Sequence, residues 1–148
     1  MSTGDIIDHG GDQAWFYTDE VKDHFFNPRN FTEDEPKDFD AVGETGSTAC
    51  GDVMRVWIKV DSKSQRIIDF KWKTFGCASA IAATSMASVV VLENDGMTLD
   101  QATKLKPADI MERLGGLPAI KAHCSVLCHL ALKEAINSYC EQYEKNTN

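Results

Sequence analysis

Residues 54–73, MRVWIKVDSKSQRIIDFKWK, change character at every second position. Successive side chains of an extended chain point to opposite sides, so Met54, Val56, Ile58 and Val60 share one face while Arg55 and Lys59 share the other. After the polar turn Asp61 to Gln65, Ile68, Phe70 and Trp72 alternate with Asp69, Lys71 and Lys73. The segment therefore reads as an antiparallel hairpin with one apolar face. Trp72 projects to that apolar face and Trp57 to the opposite one.

The pattern changes after the hairpin. From Ser79 the chain is Ala-rich and helical until Asn94-Asp95-Gly96 ends it. Two short helices follow, one opened by a capping box of Thr98 with Gln101 and one by Pro107 at its first helical position. Gly115-Gly116-Leu117-Pro118 then breaks the chain before a long helix from about Cys124 to Tyr143. Its apolar stripe, Cys128, Leu132, Ala135, Ile136, Tyr139 and Tyr143, has helical spacing, and Cys140 on the same helix reads as structural. Upstream of the hairpin, Thr18 caps a short helix that Asn27 to Asn30 ends, and Thr32 to Asp40 reads as a solvated loop. A hairpin followed by helices predicts an α+β fold, a small antiparallel β-sheet with helices packed on one face.

The chain of 148 residues suits one domain, with residues 1–16 as a flexible N-terminal segment and 17–148 as the folded unit. Its formal charge is -8, and that excess is confined to the first forty residues, with eleven acids against three bases. The remainder balances at twelve of each. Such a chain is not built to neutralise nucleic-acid phosphates. The uncharged run Thr74 to Leu92 is interrupted by Gly76, Ser79, Thr84, Ser85 and Ser88, so no membrane span is expected. Residues 1–11 hold Asp5 and Asp8 and no Lys or Arg, unlike a signal or transit peptide, which points to a bacterial cytoplasm. Five unevenly spaced cysteines fit a reducing compartment, with reactive or metal-bound thiols in place of a disulfide framework.

Three of those cysteines stand at element boundaries: Cys50 just before the first strand, Cys77 between the second strand and the Ala-rich helix, and Cys124 at the start of the last helix. Cys77 and Cys124 occupy predicted helix N-termini, where the partial positive charge favours thiolate over thiol. Spacings of 27 and 47 residues differ from the short Cys-x-x-Cys knuckle of a structural zinc site, so any shared site is assembled from three separate loops. Taken singly, each cysteine reads equally well as a small buried apolar residue.

Taken together, Cys50-Gly51-Asp52, Thr74-Phe75-Gly76-Cys77 with Ser79 to Ala82, and His123-Cys124-Ser125 closely resemble the IscU/NifU-type iron-sulfur cluster assembly scaffolds (the NifU N-terminal domain family, of the SufE/NifU-like fold). Tyr17, Asp23-His24 and Asn27-Pro28-Arg29-Asn30 resemble that family's opening helix and turn, so the resemblance runs from about Tyr17 to Tyr143. It implies a scaffold, not an enzyme with independent turnover, on which iron and sulfur are built into a [2Fe-2S] cluster for target apoproteins. By the same resemblance Cys50, Cys77 and Cys124 are cluster or metal ligands with Asp52 and His123 as exchangeable partners. Cys124 is the expected sulfur acceptor and Cys50 the second candidate. Three thiolates with weaker oxygen or nitrogen ligands suit a site that must release its cargo.

The implied partners are a cysteine desulfurase, a ferredoxin and a frataxin-like protein, apo iron-sulfur proteins, and Hsp70/J-protein chaperones that would grip Leu117 to Lys121. There Ala119 replaces the family's second proline, which relaxes the extended shape of that segment. Ala78 stands where the family often has glycine, and Cys128-His129 where it has small or acidic residues. Cys128 lies one helical turn beyond Cys124, which makes it a further metal candidate or a core residue. The alternative function is a zinc-bound sulfur acceptor of the SufU type working with a cysteine desulfurase, with zinc as the metal of the isolated protein. That branch carries an insertion before its last cysteine and lacks the preceding histidine, whereas this chain has His123.

Overall fold

A computed structural model describes residues 18–47, 52–75, 78–115 and 124–147, with the backbone alone at 47, 52, 78–79, 124–125 and 143–147. In chain order the elements are α1 (Asp19–Phe26), β1 (Ala41–Ser47), β2 (Asp52–Asp61), β3 (Arg66–Phe75), α2 (Ala78–Leu92), α3 (Leu99–Thr103), α4 (Pro107–Arg113) and α5 (Cys124–Thr147). The strands form an antiparallel sheet in the order β1-β2-β3. Its inner face, Met54, Val56, Ile58, Val60, Phe70 and Trp72, packs with α2 and α5 in one apolar core. The expected α+β architecture with helices on one face is the one found.

The hairpin forms as its alternation requires, with Val56 opposite Trp72 and Ile58 opposite Phe70. One expectation is corrected. A register shift between Lys59 and Val60 pairs Val60 with Ile67, so Ile67 is buried and Ile68, which strict alternation placed on the core face, is 49% exposed. An extra residue at a bulge exchanges the faces of everything beyond it.

Strand β1 was not anticipated. Its sequence, AVGETGS, has two glycines and little β-branched character, and it is held by pairing with β2 from Ala41 opposite Ile58 to Ser47 opposite Asp52. Gly43 explains one of the glycines. A Cβ there would stand 2.0 Å from the carbonyl oxygen of Ala131 and 2.3 Å from the amide nitrogen of Ala135. Helix α5 thus lies directly against the strand backbone.

Helix α2 is buried almost all round from Ala82 to Ser88, as an apolar helix without a polar face must be. It leaves through Asn94, Asp95 and Gly96, all at positive φ. The following link docks on β3, with the Ile67 amide bonded to the Met97 carbonyl at 2.8 Å and the Leu99 amide to the Gln65 carbonyl at 2.9 Å. Both predicted helix starts hold: Thr98 and Gln101 form a reciprocal capping box, and Pro107 opens α4.

Helix α1 is capped by Thr18, whose Oγ1 accepts from the Val21 amide and donates to the Leu114 carbonyl. The apolar stripe of α5 is buried at Cys128, Leu132, Ala135, Ile136 and Tyr139. Cys140, expected to be structural, is exposed. It lies about 100° around the helix from Tyr139, which turns it off the packed stripe. Among the described residues no helix is long and apolar enough to cross a membrane.

Candidate functional site

The expected ligands fall at the seams between elements. Cys50, Cys77 and His123 lie outside the described residues, as does the chaperone segment from Leu117 to Lys121. Asp52 opens β2, α2 begins at Ala78, directly after Cys77, and Cys124 is the first residue of α5. Sheet register brings the first two seams together. Val53 is paired with Phe75 and Asp52 with Ser47, so the start of β2 and the end of β3 share one end of the sheet.

The third seam is tied in by a contact just below that end. The Thr84 hydroxyl on α2 stands 3.5 Å from Met54 Sδ on β2 and bonds to the Ala80 carbonyl at 2.8 Å. The Cys128 thiol on α5 lies within interaction range of the same Thr84 side chain. Met54 is two residues after Asp52, Thr84 two turns into α2, and Cys128 one turn after Cys124. Three elements that begin at or directly after an expected ligand therefore converge at one buried point. A 24-residue helix beginning at Cys124 directs the positive end of its dipole toward that residue.

Cys128, the further metal candidate, is 3% exposed. Burial pushes its thiol up to about 12, against the smaller opposing effect of the Thr84 side chain. A thiol so placed keeps its proton at neutral pH and packs as an apolar residue. Neighbouring His129 is held below the ordinary imidazole value by partial burial, with Lys133 adding to the effect. Among the described residues no three His, Cys, Asp or Glu side chains converge on a point.

A second polar network joins α1 to α2. His24 is buried, and its Nδ1 lies 2.7 Å from Ser85 Oγ, which also accepts the Arg29 amide at 2.9 Å. The Arg29 carbonyl accepts from Trp72 Nε1 at 2.7 Å and from Ser88 Oγ at 3.2 Å, while Asn30 Nδ2 donates to Ser88 Oγ at 2.9 Å. Desolvation lowers the His24 pKa, Arg29 and Arg113 lower it further, and Asp23 opposes them. Among the described residues this network serves to dock α1 on α2. The sequence marks its α2 half as polar interruptions at 85 and 88 in an apolar helix, which argue against a membrane span but name no partner, and its other half as the family-like Asp23-His24 and Arg29-Asn30.

A family model described as the NifU-like N terminal domain matches residues 16–146. The nitrogen fixation protein NifU of Trichormus azollae is 46% identical over 129 residues, covering 84% of this chain and 42% of that protein. The chain thus spans less than half the length of such relatives. The iron-sulfur cluster assembly scaffold protein IscU 1 of Archaeoglobus fulgidus is 48% identical over 123 residues, covering 83% of this chain and 76% of that one. A crystal structure of a NifU-like protein (N-terminal) from Brucella abortus superposes with a TM-score of 0.65 at 17% identity, over 84% of this chain and 94% of that one. A scaffold protein for the SUF system from Fervidobacterium islandicum gives 0.62 at 18% identity, over 81% and 96%. With the motif order, the sheet and helix arrangement, and a match across all but the ends of the sequence in agreement, the chain belongs to the NifU-like N-terminal domain family.

Proposed function

We propose that this protein is a scaffold that assembles a [2Fe-2S] cluster from iron and desulfurase-derived sulfur and passes it to apoproteins. Cys50, Cys77 and Cys124 act as thiolate ligands, Asp52 and His123 as exchangeable ones, and residues 17–148 as one domain. The observation that carries the reading is the convergence of β2, α2 and α5 at Met54, Thr84 and Cys128. Relatives named as iron-sulfur cluster assembly scaffolds at 48% identity support it.

Cys124 is the sulfur acceptor. As a thiolate at a helix start it attacks the outer sulfur of a persulfide on a cysteine desulfurase. The new Cys124 S–S bond forms as the donor S–S bond breaks, and the donor cysteine leaves as thiolate. Two electrons, supplied by a ferredoxin, then reduce the carried sulfur to sulfide and regenerate the thiol. Cys50, beside Gly51, is the second candidate for that role. The cluster is cargo, and ligation by Asp52 or His123 in place of a fourth thiolate keeps it releasable. A frataxin-like protein, target apoproteins and Hsp70/J-protein chaperones are the remaining partners, in a bacterial cytoplasm, and the protein has no independent turnover.

Anaerobic incubation with ferrous iron, cysteine, a cysteine desulfurase and a reduced ferredoxin is expected to yield the visible absorption of a [2Fe-2S] centre. A colourless protein that retains zinc and accepts sulfur overturns this in favour of the zinc-bound sulfurtransferase. Substituting Asp52→Ala should slow transfer to an apo-ferredoxin, whereas Cys50→Ala, Cys77→Ala and Cys124→Ala should each prevent stable assembly. Unchanged transfer from the Asp52 variant removes the argument from exchangeable ligands.

A further inference from the structure

Of the described helices, α2 and α5 make the main contacts with the sheet, on its inner face, and the other helices pack on these two, leaving the outer face of β1, β2 and β3 without a described element over it. That face is mixed. It exposes Val42 at 43%, Ile68 at 49% and Phe75 at 66%, and it carries Arg55, Lys59, Lys71 and Lys73 against Glu44 and Asp69. The Arg55 guanidinium lies over the Trp57 ring at 5.9 Å and the Lys73 ammonium over the Phe75 ring at 5.8 Å. Arg55 is paired with Glu44, and Lys73 donates to the Glu33 carbonyl at 2.9 Å. Among the described residues Lys59 and Lys71 have no ion-pair partner. Two further features point to an occupant. Trp57 is only 4% exposed although it belongs to this face and not to the core cluster. Beside it, Glu44, Val53, Arg55, Lys73 and Phe75 line a groove of about 160 Å³.

We propose that residues 1–17 of this same chain dock on the outer face of the sheet. Their composition is complementary to it: Asp5, Asp8 and Asp12 with no Lys or Arg, and the apolar residues Ile6, Ile7, Trp15, Phe16 and Tyr17. Asp5-Ile6-Ile7-Asp8 sets an apolar pair between two carboxylates, which suits a groove lined by apolar Val53 and Phe75 and by Arg55 and Lys73, its Glu44 carboxylate being paired with Arg55. Seventeen residues extend to about 55–60 Å, against a radius of gyration of about 14 Å for a domain of this size. The segment, which joins the fold at the Thr18 cap, thus reaches any point on the sheet. The charge complementarity gives a role to Asp5, Asp8 and Asp12, three of the eleven acids of the first forty residues. Exposed ion pairs are individually weak and screened by salt, so this docking is salt-sensitive, with the apolar contacts setting its position.

The test uses the full-length chain and amide and indole NMR. The three tryptophan indole N–H signals are assigned by single Trp→Phe substitutions. Asp5→Lys, Asp8→Lys and Asp12→Lys together are expected to shift the Trp57 indole and the backbone amides of Val42, Arg55, Lys71 and Phe75. The same variant should speed solvent exchange of the Trp57 indole several-fold. Half-molar salt on the parent should reproduce those shifts in part. Lys59→Glu with Lys71→Glu should move the same signals in the parent, and joined to the lysine variant should return them toward parental positions. Any of three outcomes overturns the proposal: unchanged outer-face signals in the lysine variant, unchanged signals in the Lys59 and Lys71 variant, or parental shifts that vanish on dilution together with a dimer in sedimentation equilibrium. The last would assign the face to a second copy.

Discussion

Gly43→Ala probes the contact that positions the last helix. The added Cβ would meet the Ala131 carbonyl oxygen at 2.0 Å and the Ala135 amide nitrogen at 2.3 Å, and both are backbone atoms that cannot rotate aside. Relieving the clash alone takes a retreat of at least about 1 Å between α5 and β1, and an ordinary contact takes more. A gap of that size forfeits a quarter to a half of the dispersion energy of each atom pair it separates. Overpacking of this kind costs about 1–3 kcal/mol, and a clash with rigid backbone belongs at the upper end. Gly43 is not at positive φ, so alanine also gains about 0.4–1 kcal/mol by restricting the unfolded chain. The net expectation is a loss of about 2 kcal/mol, or a midpoint lowered by about 8 °C. Urea unfolding followed by far-ultraviolet circular dichroism measures it, with an unchanged slope showing that the unfolded state is not the cause. Val42→Ala on the same strand, at an exposed position, serves as control and should stay within about 0.5 kcal/mol of the parent. If Gly43→Ala is equally neutral, α5 does not rest on β1 as described, and the argument from close backbone approach fails.

Three further outcomes follow from the buried groups. Because the folded pKa of His24 is depressed below the ordinary 6.5, the unfolded chain takes up the proton first. Its contribution to stability is therefore complete above pH 6.5 and lost as the pH falls from there toward the folded value. A His24→Gln variant should show a flatter stability profile in that window, and an unchanged profile would remove His24 as its source. Ser85→Ala, which deprives both His24 and the Arg29 amide of their common partner, should cost about 1–3 kcal/mol in the same unfolding assay. Iodoacetamide at pH 8 should label exposed Cys140 in the folded protein and spare Cys128. Equal labelling of the two, read by mass spectrometry, would contradict the buried thiol.

Local chemistry made most elements legible. The hairpin is written in alternation, α1 and α3 in their threonine caps, α4 in Pro107, and the end of α2 in Asn94-Asp95-Gly96. The order of the three cysteine motifs carried the family resemblance before any fold was available. The misses share one cause. Strand β1 has weak intrinsic character and exists because β2 offers it a pairing edge while Gly43 lets α5 lie close. Ile68 left the core through a one-residue register shift, and Cys140 left it through its angle on a helix whose packed stripe is set by neighbours.

Periodicity, caps and motif order thus act along the chain, over a few residues at a time, and are readable without the fold. Two relations join residues thirty or more apart: Met54, Thr84 and Cys128 meeting beneath the seams, and His24 meeting Ser85. Side-chain chemistry permits each of them, but only the packing of helices on a sheet brings the partners within reach, because proximity at that separation is a property of the folded chain and not of any local stretch.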